Sequence, residues 1–278
     1  MLVYARAMDT DALRAFVDRH PRLFVLTGAG CSTDSGIPDY RDADGGWKRT
    51  QPVTYQAFVG DAAVRRRYWA RSLVGWSLLG RARPNATHLA LARLEQAGRI
   101  GQLVTQNVDG LHQAAGSRRV IDLHGRIDQV LCTACGRRTS RGDLQAELLR
   151  RNPDWAPRAA GVAPDGDADL EAADFPDFDV APCADCGGML KPDVVFFGEN
   201  VPPSRVTAAM DALAAASAML VVGSSLMVYS GYRFALTAVR LGKPIAAVNL
   251  GRTRADPLLQ LKVRRPCGEV LAALTSPR

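Results

Sequence analysis

The chain has 278 residues, of which 47% are hydrophobic and 23% are charged. This composition allows a substantial buried core and excludes a mainly disordered protein. No apolar run reaches the roughly 18 residues that cross a bilayer, and the N-terminal stretch lacks the pattern of a secretory signal. We therefore expect a cytoplasmic protein without a membrane partner.

The basic residues are almost all arginine. The net charge is +7, and only four of the 35 basic side chains are lysines. They are scattered along the chain without an aromatic-interleaved stripe, so nucleic acid is not expected as a partner. An anionic cofactor or an acidic substrate remains compatible with this charge.

Helix and strand patterns alternate along most of the chain. The first helix is predicted over 11–20, capped by Asp9 and Thr10, and the strand RLFVLT then runs into glycines. Further helices are predicted over 61–79, 84–97, 108–116, 203–216 and 231–241. Further strands are predicted over 101–106, 119–125, 193–197, 218–225 and 244–251. This alternation predicts an α/β fold with a doubly wound parallel sheet.

Four of the six cysteines form two Cys-x-x-Cys pairs. The pairs are Cys132 with Cys135 and Cys183 with Cys186. Four thiolates complete the tetrahedral coordination that a structural zinc ion prefers, and they leave no open position for a catalytic water. Buried disulfides or a redox dithiol are the alternatives, and a reducing compartment disfavours the first.

A glycine turn follows the first predicted strand. Gly28, Ala29 and Gly30 can bring backbone N–H groups close to a pyrophosphate, although a purely structural turn has the same signature. The third glycine of the usual dinucleotide fingerprint would stand at position 33, which is Thr33. A hydride-transferring dehydrogenase is therefore not supported.

Longer motifs carry a family resemblance. GAGCSTDSGIPDYR at 28–41, TQNVDGLH at 105–112, LHG ending at Gly125, KPDVVFFGE at 191–199 and GSSL at 223–226 occur in order along the chain. The sequence resembles the sirtuins, which are NAD-dependent protein-lysine deacylases and, in some members, ADP-ribosyltransferases. Tyr40 in the first motif and the segments RYWARSLVGW, APDGD and SSLMVYSGYRF resemble the class II branch that includes mitochondrial sirtuin 4, and suggest a bacterial member.

The resemblance implies one catalytic domain, 1–278, built from three parts. A Rossmann-like NAD domain would comprise 1–41, 85–125 and 193–278. A helical module would occupy 42–84, and a zinc-binding module with the class II loop would occupy 126–192.

The resemblance also implies a set of NAD-binding residues. They are Gly28, Ala29, Gly30, Thr33, Tyr40, Arg41, Gln106, Asn107, Val108, Asp109, Gly223, Ser224, Ser225, Asn249, Leu250, Gly251 and Cys267. Short polar side chains such as Asn107 and Asp109 can hold a carboxamide or a ribose hydroxyl, although an Asx-type turn would use them as well. For Cys267, a buried structural thiol is an equal alternative.

His124 matches the catalytic histidine of the family, and Asn107 would assist it. Imidazole suits a general base because its pKa lies near neutral pH. In the family mechanism the acyl oxygen displaces nicotinamide from the ribose, and the histidine then deprotonates a ribose hydroxyl. The products would be free lysine, nicotinamide and 2'-O-acyl-ADP-ribose.

The segment VVFFGE is predicted to contact the peptide substrate. An exposed strand there can pair with an extended peptide, although a core strand would have the same sequence. By resemblance, Val195, Phe197 and Gly198 would contact an acyl-lysine peptide. Tyr68 and Arg71 share a helix face and resemble a Tyr-x-x-Arg pair that reads acidic acyl chains, but a solvated basic helix fits them nearly as well.

Two other functions are compatible with parts of the sequence. The same NAD chemistry could transfer ADP-ribose to protein. A zinc-containing module that binds nucleic acid would instead show strongly salt-dependent binding without release of nicotinamide.

Overall fold

A six-stranded parallel sheet forms the centre of the molecule. The computed structural model describes residues 2–48, 52–155 and 175–275. The sheet strands are β1 (Leu23–Thr27), β2 (Ile100–Thr105), β3 (Val120–Asp122), β7 (Ala218–Val222), β8 (Ile245–Val248) and β9 (Leu261–Val263). Their order is β3-β2-β1-β7-β8-β9, and all neighbours are parallel. The predicted doubly wound α/β fold is confirmed.

Helices cover both faces of this sheet. They are α1 (Leu2–Arg19), α4 (Ala86–Gln96) and α9 (Cys267–Thr275) on one face and α7 (Pro203–Ala215) and α8 (Tyr229–Arg240) on the other. Successive residues of β1 alternate between the two cores: Leu23 and Val25 pack on the first face, Phe24 and Leu26 on the second. Because both faces are covered, β1, β7 and β8 are buried at every position.

A second, smaller module carries the cysteines. Its antiparallel sheet consists of β4 (Gly125–Cys132), β5 (Arg138–Ser140) and β6 (Leu190–Val194), in the order β5-β4-β6. Its helices are α2 (Tyr55–Gly60), α3 (Ala62–Leu79) and α6 (Arg141–Arg151). A single apolar core joins them, so the helical and cysteine-bearing segments pack as one body. A short helix, α5 (Leu111–Ala114), follows β2.

Three sequence predictions need correction. The first helix begins at Leu2 rather than after a cap at Asp9 and Thr10. The predicted strand 119–125 is divided, because Gly125 belongs to β4 in the other sheet. The predicted parallel strand 193–197 is the end of β6, which is antiparallel to β4, and 195–197 lie beyond it. The two strand errors share a cause: short apolar runs do not reveal which sheet a strand joins.

The other predicted helices are confirmed within a few residues. Asn85 caps α4, where its side chain accepts the Thr87 N–H at 2.9 Å. Gly98 follows α4 in the left-handed conformation, as a helix stop requires. No helix among the described residues is long and apolar enough to cross a bilayer. The predicted class II loop with APDGD lies outside the described residues.

Candidate active site

The strand ends of the large sheet meet at one edge. The chain runs β1, β2, β3 to one side and β7, β8, β9 to the other, so the topological switch point lies between β1 and β7. The loops after these two strands are bonded directly, with Gly30 N–H donating to the Gly223 carbonyl at 2.9 Å. A Cβ on Gly30 would stand 3.0 Å from that oxygen, and Gly223 has a φ of +60°. The glycines are therefore required by this close approach.

A cavity of about 770 Å³ opens at this edge. Ligand sites typically have volumes of about 300–1,000 Å³, and this cavity lies in the upper part of that range. All the residues predicted to bind NAD line it, and so do His124, Tyr68, Val195, Phe197 and Gly198. The sequence motifs, which are spread over more than 200 positions, thus converge on one site.

A hydrogen-bonded chain of short side chains forms one wall. Asn107 Nδ2 donates to the Gly28 carbonyl at 3.1 Å and to Ser32 Oγ at 3.0 Å, and Ser32 Oγ donates to Asp109 Oδ2 at 2.7 Å. Asp109 Oδ1 also accepts the Leu111 N–H at 2.9 Å, which is the Asx-type turn considered above. The Asx-type turn therefore uses one carboxylate oxygen of Asp109, and Ser32 uses the other.

His124 lies between β3 and β4. The following Gly125 is in the left-handed region, and a Cβ there would collide with the Asp193 carbonyl, so this position needs glycine. His124 Nδ1 lies 3.0 Å from the Gln106 carbonyl oxygen, and Nε2 lies 2.8 Å from Ser230 Oγ. A carbonyl only accepts, so Nδ1 carries the hydrogen and Nε2 of the neutral ring carries the lone pair.

Burial keeps this histidine neutral. Desolvation lowers the pKa of His124 to about 4, against a smaller opposing effect of its hydrogen bond to Gln106. The positive charges of Arg205 and Arg233 lower it further. At neutral pH the ring is therefore a proton acceptor, and its lone pair is on Nε2.

Aromatic rings surround the mouth of the cavity. Trp47 and Phe197 stand with ring centroids 5.4 Å apart, and Tyr40 lies 6.3 Å from each. The guanidinium of Arg41 lies 4.1 Å from the centre of the Trp47 ring. Phe197 is fixed through its backbone, since its carbonyl accepts the Tyr55 N–H at 2.9 Å. Tyr40, Trp47 and Phe197 thus form an aromatic part of the cavity lining.

The four paired cysteines come together in the small module. Their sulfur atoms all lie within 4.8 Å of one another, with 3.5 Å between Cys132 and Cys186 and 3.9 Å between Cys135 and Cys183. Tetrahedral Zn–S bonds of about 2.3 Å require sulfur separations of about 3.8 Å, so the cluster fits a structural zinc. Gly136 and Gly187, just after each pair, are in the left-handed conformation.

Comparison with known proteins identifies the family. The model of the Sir2 family matches residues 28–230. The chain belongs to the Sir2 family, the sirtuins. A relative from Xanthomonas axonopodis pv. citri (strain 306), named NAD-dependent protein deacetylase, is 64% identical over 271 residues, 98% of this chain and 92% of the relative. One of the same name from Bordetella bronchiseptica is 62% identical over 272 residues, 98% of this chain and 99% of the relative.

Solved sirtuin structures share the fold. A Sir2 with a p53 peptide and NAD+ has a TM-score of 0.77 and 32% identity, covering 95% of both chains. A Sir2 bound to acetylated peptide has a TM-score of 0.75 and 31% identity, covering 95% of this chain and 96% of the other. The sirtuin fold is therefore shown for nearly the whole chain.

Within this sirtuin, one predicted residue lies apart from the cavity. Tyr68 is 3% exposed and packs edge-on against Phe58 and Phe196 at the inner end of the cavity. Arg71, three positions on, is half-buried and does not line the cavity formed by the described residues. A shared helix face thus did not bring both side chains to the same site.

Other lining residues were not predicted from the sequence. Ser32, Trp47, Ser230 and Arg233 all line the sirtuin cavity. Ser32 and Trp47 lie in or beside the first motif, and their polar and aromatic character could have marked them. Ser230 and Arg233 belong to the N-terminal half of α8, and only the tertiary structure brings them to His124.

Proposed function

We propose that the protein is a NAD-dependent protein-lysine deacylase that removes acetyl groups. The observation that supports this best is His124, a half-buried neutral base that lines the same cavity as the glycine loops and whose Nε2 accepts only the Ser230 hydroxyl among the described residues. The names of the similar bacterial proteins and the acetylated peptide bound to a related Sir2 support the same reaction.

The loop residues fit NAD as the co-substrate. In our proposal the loops at Gly28–Gly30 and Gly223–Ser225 hold its phosphates and adenosine half, since closely apposed backbone N–H groups suit anions. Asn107 and Asp109 hold the nicotinamide end with Gln106 and Val108, while Tyr40 covers it. When bound, NAD supplies the ribose carbon that takes the acyl oxygen as nicotinamide leaves.

We propose that His124 accepts the proton of a ribose hydroxyl, which completes the acyl transfer. Its Nε2 is the acceptor because the Gln106 carbonyl retains the hydrogen on Nδ1. Asn107, already bonded to Gly28 and Ser32, would hold the ribose hydroxyl or a water in place.

The acyl-lysine peptide is proposed to enter between Phe197 and the loop before α8. Val195 N–H already donates to the His124 carbonyl at 2.7 Å, which places the Val195 backbone beside the base. Phe197 would line the passage for the lysine methylenes, and Gly198 would pair with the peptide backbone. We further propose, from the class II resemblance, that larger or acidic acyl groups are accepted as well as acetyl.

The decisive experiment offers NAD and a panel of lysine peptides to the purified protein. The peptides carry acetyl, long-chain, lipoyl, succinyl, glutaryl or 3-hydroxy-3-methylglutaryl groups, and mass spectrometry follows deacylated peptide and O-acyl-ADP-ribose. We expect product from the acetyl peptide, and a rate at least about 100-fold lower for His124→Ala, the usual effect of losing a general base.

Zinc content and NAD binding of His124→Ala should match the wild type, and His20→Ala is the matched histidine control because His20 lies outside the cavity. A fully active His124→Ala variant would refute the role of this residue. Absence of NAD-dependent product from every peptide would refute the deacylase proposal itself.

A further inference from the structure

Arg233 is a cation of the cavity whose Nε has no acceptor among the described residues. It lines the cavity and is half-buried. Its Nε atom is buried, and none of the described residues offers it a hydrogen-bond acceptor. Its guanidinium lies 5.2 Å from the centre of the Tyr229 ring, and no carboxylate of the described chain lies within ion-pair distance of it. Partly buried arginines normally have an anionic partner, because removing a charged guanidinium from water without such a partner costs free energy.

The other cations that line the cavity differ from Arg233. Arg41 donates to the Gly45 carbonyl at 2.7 Å and lies over Trp47, and Lys48 is paired with Asp39 at 2.5 Å. Arg252 is exposed to solvent beside the loop that follows β8. Arg233 is thus a half-buried cation of the cavity whose buried Nε finds no acceptor among the described residues.

The position of Arg233 places it near His124. Arg233 lies one turn after Ser230 on α8, so both side chains project from the same helix face. Ser230 bonds to His124, and the positive charge of Arg233 lowers the pKa of that histidine. Arg233 therefore lies at the end of the cavity that contains the proposed base.

We propose that Arg233 binds a carboxylate of the substrate. This inference rests on the proposed deacylase function and names its substrate class. The carboxylate belongs either to the acyl chain, as in succinyl or glutaryl groups, or to an aspartate or glutamate next to the acyl-lysine. Guanidinium binds carboxylates through paired N–H donors, and Tyr229, 56% exposed, supports the guanidinium plane from one side. Arg233 would thereby serve the purpose that the sequence predicted for Arg71.

The test compares three kinds of peptide with one core sequence. The first carries acetyl-lysine with neutral neighbours, the second carries succinyl- or glutaryl-lysine, and the third carries acetyl-lysine with glutamate at each of the two positions on either side. For the wild type we expect at least one carboxylate peptide to exceed the neutral one in kcat/KM by about tenfold, as a charge-assisted hydrogen bond allows. The carboxylate peptide whose kcat/KM exceeds that of the neutral peptide shows whether the carboxylate belongs to the acyl chain or to a neighbouring residue.

Substitution then assigns the effect to Arg233. Arg233→Met should lower the ratio of kcat/KM for the preferred carboxylate peptide to kcat/KM for the neutral acetyl peptide about tenfold, mainly through KM for the carboxylate peptide. For the carboxylate peptide, kcat/KM of Arg233→Lys should lie between the values of the wild type and of Arg233→Met. Lysine keeps the positive charge but lacks the paired N–H donors of the guanidinium. Arg240→Met, two turns further on the same helix, exposed and outside the cavity, is the matched control.

The outcomes separate the two proposals. Equal activity on all peptides, or an equal loss on all of them in Arg233→Met with unchanged NAD binding and melting temperature, would overturn the carboxylate site while the deacylase proposal stands. If Arg233→Met melts at a lower temperature, Arg233→Lys answers the same question. A wild-type ratio of kcat/KM between the carboxylate and neutral peptides in Arg233→Lys would then overturn the carboxylate site. Absence of product from all peptides would remove both proposals.

Discussion

Ser230 Oγ lies 2.8 Å from Nε2 of His124, although the two residues are 106 positions apart. The opposite ring nitrogen donates to the Gln106 carbonyl, so the serine hydroxyl must be the donor to Nε2. The proposed base is thus held at both nitrogens by groups from two different elements. Its lone pair is already engaged before any substrate enters, and a ribose hydroxyl must share or replace that bond.

Removing the Ser230 hydroxyl should impair the base. Ser230→Ala should lower kcat roughly fivefold, the kinetic equivalent of one hydrogen bond of about 1 kcal/mol. It should also move the acid limb of the pH–rate profile to higher pH, because a bond donated to the neutral ring keeps its pKa low. Ser230→Thr retains the hydroxyl and should restore both values. A wild-type profile in Ser230→Ala would contradict this role.

Buried histidines should make the folded state sensitive to acid. Burial lowers the pKa of His112 to about 3 and that of His124 to about 4, and it also lowers the pKa of His88. The unfolded chain, with histidine pKa values near 6.5, therefore binds more protons below that pH. Stability should be complete above about pH 6.5 and should fall by about 1.4 kcal/mol per pH unit for His112 and again for His124 as the pH drops towards 4.

Urea unfolding at pH 7, 6 and 5 measures this effect. The free energy of unfolding should decrease with each step, and His112→Gln should reduce the slope even if it lowers stability at pH 7. His112 is fully buried and bonded to Thr27 Oγ1 at 2.9 Å, so it stays neutral in the folded state. Identical midpoints at pH 7 and pH 5 would contradict the prediction.

Loss of one cysteine ligand should release zinc and weaken the small module. Cys132 and Cys183 belong to the core that also contains Phe58 and Phe196, so the cysteine cluster is continuous with Phe196 in the cavity lining. Cys183→Ser should retain less than one equivalent of zinc. Its Tm should fall by about 10 °C, since structural zinc contributes several kcal/mol and 1 kcal/mol corresponds to about 2–4 °C.

Metal analysis and thermal unfolding check this expectation. A strong chelator added to the wild type should lower its Tm by a similar amount. Full zinc content in Cys183→Ser, or a wild type that purifies without zinc, would argue against the assigned ligands.

Asn85 should couple helix capping to NAD binding. Its Oδ1 caps α4, while its Nδ2 donates to the Cys31 carbonyl at 2.8 Å and to Ser35 Oγ at 2.9 Å. Asn85→Ala should destabilise the protein by about 1 kcal/mol, as loss of a cap does, and should also weaken NAD binding because the loop is released. Calorimetry with NAD and urea unfolding measure the two effects.

Ser140→Ala is the matched control for this prediction. Ser140 caps α6 by accepting the Gly142 N–H at 3.0 Å, and it lies in the small module. Its loss should cost similar stability without changing the affinity for NAD. Asn85→Asp keeps the cap but removes the amide donors, so it should weaken NAD binding alone. Equal affinity in Asn85→Asp and the wild type would refute the coupling.

Much of the fold and site could be read from local patterns. Continuous burial of β1 and β7 appears in the sequence as unbroken apolar runs before glycines, and the spacing of Cys132, Cys135, Cys183 and Cys186 predicted the cluster. The order of the sirtuin motifs also predicted which residues would line the cavity. These features depend on neighbouring residues or on strand ends, which parallel strands necessarily bring to one edge.

The remaining features depend on contacts between distant segments. Apolar character at 193–197 did not reveal that β6 pairs with β4, since the pairing is decided by which edge is available after the chain folds. Helical spacing placed Tyr68 and Arg71 on one face but not at one cavity. The bond between Ser230 and His124 and the approach of Arg233 result from the packing of α8 on the sheet. Local propensity and spacing therefore determined the elements and the motifs, whereas long-range packing decided which side chains face the reacting atoms.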